Sequence, residues 1–481
     1  MKTTYLTKLM TVYWLSMLLL TSCSDWLDIQ PQQEIKTKHL YTSEEGYKSA
    51  LTGVYKLMTE NALYGQALTY GYVSKLEQRY DRLGQEINLE REAELYDYKN
   101  NNTSSNTQSH IWEAMYNAIA NDNNLLYYLN LQGNQYLSNE LFSIIKGEAL
   151  ALRAYMYFDL LRMWGPIYSE DSQFPTVPWR DVLTSEKEPL CTAQELVDHI
   201  MADLKEAESL LAIDPICTGQ DRSNPIIFLR NRQYRMNLYA VQALQARINL
   251  WIGNKEKAKM YAREVIDHCG LSLVRSNSAD PSMQAEALFM LDIFDLDTRV
   301  DNLFPADINR LNSPNSEALY LSLENAQEIF EVQSTGLNDI RYKNREGMVH
   351  AGSKVMPRKF IASVNGQTTR NMPLIRLAEM YLIMAETDIP EQSVTYLNTL
   401  RHARGIAAKH DVVYDDTYTE NTRMQLVGME YQKEFLCEGQ WFYFLKRTDS
   451  ETFFKCPVTS MKGYYVFPIP DNEIEHGLGQ R

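Results

Sequence analysis

The sequence predicts an all-α fold, and three observations carry that prediction. Apolar residues recur at three- and four-residue steps in segment after segment. Helix start and stop signals bracket several of those segments. Strand signals are sparse, with no sustained alternation of apolar and polar residues and no Asn-Gly hairpin between such runs.

The elements follow in chain order. Residues 43–59, SEEGYKSALTGVYKLMT, open on a Ser-x-x-Gly near-cap with Glu44 and Glu45, and acids suit a helix start. Tyr47, Leu51, Val54, Tyr55 and Met58 then form one stripe. Residues 111–130 place Trp112, Met115, Tyr116, Ile119 and Leu126 in the same way. Residues 141–164 are apolar on most sides, which predicts a central helix, and Gly165-Pro166 stops it. Residues 192–211 begin with a capping box, Thr192 to Glu195, and continue with a stripe of Leu196, Ile200, Leu204, Ala207 and Leu211. In residues 235–266, Ala243 and Ala246 permit close approach, Gly253-Asn254 makes the turn, and Ala258 and Ala262 line the returning helix. That pattern is tetratricopeptide-like helix-turn-helix. Residues 373–386, with Pro373 at a first helical turn, and 394–401 form a second candidate pair. Residues 421–447 read as a last long helical stretch. Between the helices lie polar, irregular stretches at 60–110, 212–230 and 271–372, and long loops on a rigid scaffold are where binding is expected.

The bulk composition excludes some functions. The 481 residues are 44% hydrophobic and 23% charged, as in soluble globular proteins. The net charge of −15 argues against nucleic-acid binding and against basic attachment to anionic membranes. The 31 tyrosines and 7 tryptophans suit cores, interfaces and sugar faces alike. Cysteines at 23, 191, 217, 269, 437 and 456 show neither CxxC nor zinc spacing, and beyond Cys23 they read as small buried apolar residues.

The amino terminus is a processing signal. Lys2 and Lys8 precede an apolar run over 9–20, shorter than the ~20 residues of a spanning helix. Leu20-Thr21-Ser22-Cys23 then forms a lipobox, the bacterial signal for acylating the cysteine and cleaving before it. Residues 1–22 are thus read as a lipoprotein signal peptide and 23–481 as a single α-helical domain. Removing residues 1–22 takes away two lysines and no acid, so −15 becomes −17.

Catalytic motifs are absent: the eight histidines form no HExxH or HxH cluster, and no GxSxG elbow, Walker loop or catalytic-cysteine signature occurs. No cofactor or metal set is expected. One constellation remains, EFLCEGQWFYFLKR at 434–447, which on a helix would put Glu434 and Glu438 on one face. A glycosidase needs carboxyls about 5 Å apart, or about 6.5–9.5 Å apart, usually across a cleft. Here both acids would project from one helix beside Lys433, Lys446 and Arg447 and an aromatic block. Acids that brace a helical core fit this better, with a surface glycoside hydrolase as the weaker alternative.

Several segments together resemble the SusD/RagB family of Bacteroidetes outer-membrane nutrient-binding lipoproteins. EFLCEGQWFYFLKR is similar to the family's EF-x-x-EG-x-R-W-F-D-L-x-R signature, and KGEALALRAYMYFDLLRMWGP to its G-E-A-x-x-L-R-A-Y-x-Y-F-D-L segment. The lipobox followed by SDWLDIQP, then TAQELVDHIMADLKEAESLL, PLIRLAEMYLIMAE, LNTLRHARG and YYVFPIPDNEI also fit in order. Ser24-Asp25 resembles the acidic surface-export signals of such lipoproteins. Gln440 stands where the signature has arginine, Tyr443 where it has aspartate, and the end after FPIP is short.

The resemblance implies an N-terminal SusD-like part over about 23–230 and a C-terminal SusD/RagB part over about 271–481. It implies a lipid-anchored, surface-exposed protein of the outer membrane that binds glycan, or alternatively peptide. It further implies no enzymatic activity and a SusC-like TonB-dependent transporter over which the protein acts as a lid. Since family ligand sites lie in the irregular loops, Tyr70, Tyr72, Arg79, Tyr80, Tyr96, Tyr98, Asn101 and Phe304 are the candidate ligand contacts, with Cys23 the lipidation site. Some members carry calcium, but no ordered Asp-x-Asp-x-Asn loop is present here. Trp112, Trp164, Trp251 and Trp441 are expected in the core.

Overall fold

Helices form where the apolar periodicity and the caps coincide. The computed structural model describes residues 39–475 apart from 83–94, 99–101, 183–186, 276–279, 313–316, 344, 346 and 361–369. Helix α1 (Glu44–Met58) is capped by Ser43, whose Oγ accepts from the Gly46 N–H at 3.2 Å, and its apolar stripe is buried. After the short α2 (Tyr72–Leu76), α3 (Asn102–Tyr128) starts earlier than the periodicity from 111 predicts. Its polar first turns carry no stripe, but Gln108 there donates to the Tyr72 hydroxyl at 2.8 Å, a contact invisible to periodicity. The helix runs on into a π-helical turn, Leu129–Gly133.

Helix α4 (Asn139–Trp164) is central, as its all-round hydrophobicity predicts, and every residue from Gly147 to Trp164 is buried. Gly147 lets α5 (Ala193–Leu210) approach, since a Cβ there would lie 2.7 Å from Leu211 Cγ. The capping box of α5 is formed in both directions: Thr192 N–H donates to Glu195 Oε2 at 2.9 Å and Glu195 N–H to Thr192 Oγ1 at 3.1 Å. Helices α6 (Leu238–Trp251) and α7 (Lys255–His268) join through Gly253 at φ +81°, a left-handed turn that glycine adopts without steric cost. Ala243, Ala246, Ala258 and Ala262 are all buried.

The irregular stretches supply small sheets and α8 (Leu323–Ile329). Strands β1 (Asp81–Arg82), β5 (Leu319–Ser322), β7 (Lys354–Pro357) and β6 (Met348–Ala351) form an antiparallel sheet in the order β1-β5-β7-β6. Two-stranded sheets pair β2 (Pro175–Pro178) with β3 (Leu190–Thr192) and β4 (Ala287–Asp292) with β8 (Asn371–Arg376). Pro373 therefore lies in β8, opposite Met290, and not in a first helical turn; α9 (Leu377–Thr387) begins only after the strand. Helix α9 turns back through α10 (Pro390–Ala403), and this hairpin stacks on α7, so helical hairpins lie side by side.

The last predicted helix is broken. Helix α11 ends at Glu434 (Glu420–Glu434), α12 starts at Gln440 (Gln440–Arg447), and between them Cys437 and Gly439 take positive φ of +69° and +70°. Gly439 rests on the chain at 68–69, where a Cβ would lie 3.0 Å from the Thr69 carbonyl oxygen. Glu434 and Glu438 thus do not share a helix face. Trp112, Trp164 and Trp251 are buried and Trp441 is half-buried. Cys191, Cys217, Cys269, Cys437 and Cys456 are free, with Cys269 and Cys437 buried. Cys23 lies outside the described residues. Among the described residues, no helix is long and apolar enough to cross a membrane.

Candidate functional site

The glutamate pair sits in a buried knot of opposite charges. Glu434, with no exposed surface, accepts from Arg376 Nη1 at 2.6 Å, Arg404 Nη2 at 2.8 Å, Arg404 Nε at 2.9 Å and Arg341 Nη1 at 3.1 Å. Glu438 accepts from Arg376 Nη2 at 2.8 Å and from Lys359. Arg376 and Arg404 also each donate to Glu286 at 2.7 Å. Glu430 joins through Arg341 at 2.8 Å and Lys433 at 2.9 Å.

Burial alone would raise the carboxyls of Glu434 and Glu430. Instead Arg404 and Arg376 hold Glu434 well below its ordinary value, and Lys433 and Arg341 bring Glu430 down to about 2. A general acid needs the opposite shift and a route to substrate. The pair is therefore a brace, as expected, but with different partners. Of the neighbours in sequence, Lys433 bonds Glu430 and Glu331, Arg447 pairs with Glu386, and Lys446 donates to the carbonyls of Arg162, Gly165 and Tyr465.

The sequence-derived ligand candidates gather in two aromatic clusters below the surface. Tyr70 and Tyr80 meet Phe304 at ring-centroid distances of 6.4 and 5.9 Å, and Tyr70 meets Phe360 at 5.9 Å. Tyr72 and Tyr98 meet Phe467 at 5.9 and 5.3 Å, and Tyr96 meets Tyr98 at 6.2 Å. Tyr70, Tyr72, Tyr96, Tyr98 and Phe304 are all buried, so a ligand cannot reach their faces in this conformation. Arg79, also buried, is bound to Glu77 and to the Gln432 and Phe435 carbonyls, which ties the loop after α2 to the end of α11. Tyr80 is half-exposed, its hydroxyl 3.2 Å from Cys437 Sγ and 3.1 Å from Ser74 Oγ. Asn101 lies outside the described residues.

What the structure exposes above these clusters is a different set. In β5 the alternation of the pleat buries Leu319 and Leu321 and turns Tyr320 outward. Tyr320 pairs in register with Asp81 of β1, and Lys354 Nζ lies 5.0 Å from its ring centroid. Asp81 accepts from the Ser322 N–H at 2.6 Å and from Lys455, and these two hydrogen bonds outweigh partial burial to lower its carboxyl. Lys455 in turn lies 5.6 Å from the ring of Phe454, which is 53% exposed. Tyr320, Asp81, Lys354, Lys455 and Phe454 thus form a continuous strip of rings and charges at the sheet edge. The sequence held one local signal for it, the ring-cation dipeptide Phe454-Lys455, which was overlooked because exposure was not legible.

Two small cavities lie among the described residues. One of about 30 Å³ beside Arg247, Trp251 and Glu379 and one of about 20 Å³ beside Arg341, Lys359 and Lys433 are each of a size for one or two waters. Neither cavity has room for a sugar ring.

Stacked helical hairpins thus support an irregular half whose surface carries an open strip of rings and charges. Two family models match: "Starch-binding associating with outer membrane" over residues 25–223, and "SusD family" over residues 277–467. The chain belongs to the SusD/RagB family. It is 21% identical to SusD-like protein P38 of Formosa agariphila over 93% of this chain and 92% of that one. Among solved structures, a SusD superfamily protein of Bacteroides thetaiotaomicron matches with TM-score 0.69 at 23% identity, covering 90% of this chain and 98% of that chain. A SusD-like carbohydrate binding protein of Bacteroides vulgatus matches with TM-score 0.71 at 17% identity, covering 91% and 97%. At these identities the structural likeness establishes the fold.

Proposed function

We propose that this chain is a surface lipoprotein, held to the outer membrane by an acylated Cys23, that captures glycan on the Tyr320–Asp81–Lys455–Phe454 strip. It passes the glycan to a SusC-like TonB-dependent transporter, over which it acts as a lid. The family, whose matching model is described as starch-binding and associated with the outer membrane, supports this reading, as does the carbohydrate-binding relative. The observation that carries it is the strip itself, two outward rings flanked by Asp81, Lys354 and Lys455 at fixed positions. Pyranose rings present flat C–H faces that pack on aromatic planes, while charged and amide groups bond the hydroxyls. No bond is broken, so no tuned acid is needed. Bound glycan favours the closed lid to the extent that it binds that state more tightly.

The test is calorimetric titration against a polysaccharide panel, with released reducing ends measured in parallel. Tyr320→Ala and Phe454→Ala each weaken the bound glycan by at least about tenfold, ~1.4 kcal/mol. Phe294→Ala, which removes a ring that is 82% exposed but lies just beyond β4, away from the strip, leaves affinity unchanged. Peptide binding without glycan binding, or equal affinity in all three variants, would refute the assignment.

A further inference from the structure

Two side chains stand further into water than any other large apolar side chain among the described residues: Phe294 at 82% exposure and Ile227 at 77%. A run of contacts joins them across one face. Ile227 opens a 3₁₀ turn, Ile227–Leu229, whose Leu229 is buried. Arg230 closes that turn by donating from Nε to the Asn224 carbonyl at 2.7 Å. The Arg235 guanidinium covers the ring of Phe228 at 4.0 Å. Next to it, the Tyr234 hydroxyl donates to Asn371 Oδ1 at 3.2 Å. Beside Asn371, Arg370 lies 5.2 Å from the ring of Phe294. All of these residues but Leu229 are exposed or half-exposed, so the face is continuous.

The free charges on this face are positive. Between residues 211 and 235 both acids, Asp214 and Asp221, are buried, while Arg222 and Arg230 are exposed. The Asp221 carbonyl accepts from the Asn231 N–H at 3.3 Å, which brings the two arginines to one crossing of the chain. Among the described residues no carboxylate pairs with either. Exposed acids at the margins are already taken. Asp292 accepts from Arg370 through both oxygens, at 2.9 and 3.0 Å. Glu44 and Glu45 hold Lys48 at 2.6 and 3.0 Å, and that lysine lies 5.7 Å from the Phe228 ring.

We infer that this face docks on an anionic lipid surface. Ile227 and Phe294 enter the boundary between headgroups and acyl chains, and Arg222 and Arg230 take lipid phosphates. A protein partner would need a fitted pocket for each protruding side chain, whereas a bilayer interface receives them without matching shape. A sugar is a poorer occupant, since Ile227 offers no aromatic plane to a pyranose. The net charge of −15 opposes adsorption by charge alone, so the two apolar side chains carry the attachment. Acids further away than ~8 Å are screened at physiological ionic strength. Docking decides which side of the receptor lies against the membrane. It needs neither acylation of Cys23 nor glycan, so it goes beyond the function proposed above and fails separately from it.

The experiment is co-sedimentation of the unacylated chain, residues 24–481, with vesicles of phosphatidylethanolamine mixed with phosphatidylglycerol, and with vesicles of phosphatidylcholine alone. Binding to the anionic vesicles is at least about tenfold tighter and falls as salt rises. Phe294→Ser and Ile227→Ser each weaken it about tenfold. Arg222→Gln combined with Arg230→Gln removes most of the preference for anionic lipid. Val413→Ser, which removes a side chain 68% exposed before α11, leaves binding unchanged. Every substituted position is exposed, and thermal unfolding at the unmodified temperature separates a lost contact from a lost fold. Equal binding to both kinds of vesicle, or equal binding by all variants, would overturn the inference. Self-association without vesicles that Phe294→Ser abolishes would overturn it in favour of a second copy. Glycan affinity lost in Ile227→Ser would overturn it in favour of a sugar contact.

Discussion

Residues 147–164 of helix α4 and residues 372–376 of β8 are both buried, yet they are held in different proportions of apolar and ionic contact. From Gly147 to Trp164 most buried side chains of α4 are apolar, with the ion pairs of Glu148, Arg153, Asp159 and Arg162 set singly among them, and its ends are closed by Ser138 and Gly165. Arg376, Arg404 and Arg341 are held mainly by carboxylates from residues 286, 339, 430, 434 and 438, which come from the turn before β4, a loop, the last turns of α11 and the break after it. Where helices stack, side-chain shape fixes the geometry. Where the chain is irregular, apolar contact alone leaves many relative positions of near-equal energy. Directional bidentate ion pairs remove that freedom, at the desolvation cost that makes their net stability small while their loss is costly.

Arg376→Met tests the contrast most severely. It strips Glu434, Glu438 and Glu286 of a shared donor while they stay buried, and stability by urea denaturation falls by ~3–5 kcal/mol. A loss below ~1 kcal/mol would show that the knot is incidental.

Acid titration sharpens the same point. Glu430 and Glu434 have folded-state values below the unfolded one, so their contribution is present above about 4.5 and lost as pH falls through the folded values. For Glu430, dropping from 4.5 to about 2, this is on the order of 3 kcal/mol, removed between about pH 5 and pH 2. Hydrogen exchange as a function of pH should show residues 430–438 loosening before α4 does.

The smallest effect is expected in the hairpin half. Gly147→Ala adds a methyl 2.7 Å from Leu211 Cγ, which costs ~1–3 kcal/mol in overpacking, offset by ~1 kcal/mol of helix propensity. The net is a loss of ~1 kcal/mol by thermal denaturation, with glycan affinity unchanged.

The two halves also differ in how much of them was legible. The capping box at Thr192, the Gly253 turn and the alanine faces of α6 and α7 are written within a few residues, so periodicity and turn chemistry located them. Pro373 misled because a proline early in an apolar run fits a helix start as well as a short strand, and only pairing with Met290 selects the strand. The break after Glu434 was missed because Gly439 is needed only where Thr69 approaches it. The ligand candidates were chosen as aromatic and polar residues in irregular stretches, and that composition describes a buried aromatic cluster equally well. Tyr70 and Tyr320 are both loop-region tyrosines; the pleat of β5 turns one outward while Phe304 and Phe360 enclose the other.

By itself the sequence determined the helical hairpins, their caps and the family, because each depends on residues a few positions apart or on ordered motifs. Only the tertiary structure decided which rings face water and which cations hold Glu434. Arg376 meets Glu434 across 58 residues and Glu286 across 90, and no local pattern records a pairing at that separation. Burial is a property of the assembled chain, so the exposed strip of Tyr320, Asp81, Lys455 and Phe454 became visible only once distant segments were placed side by side.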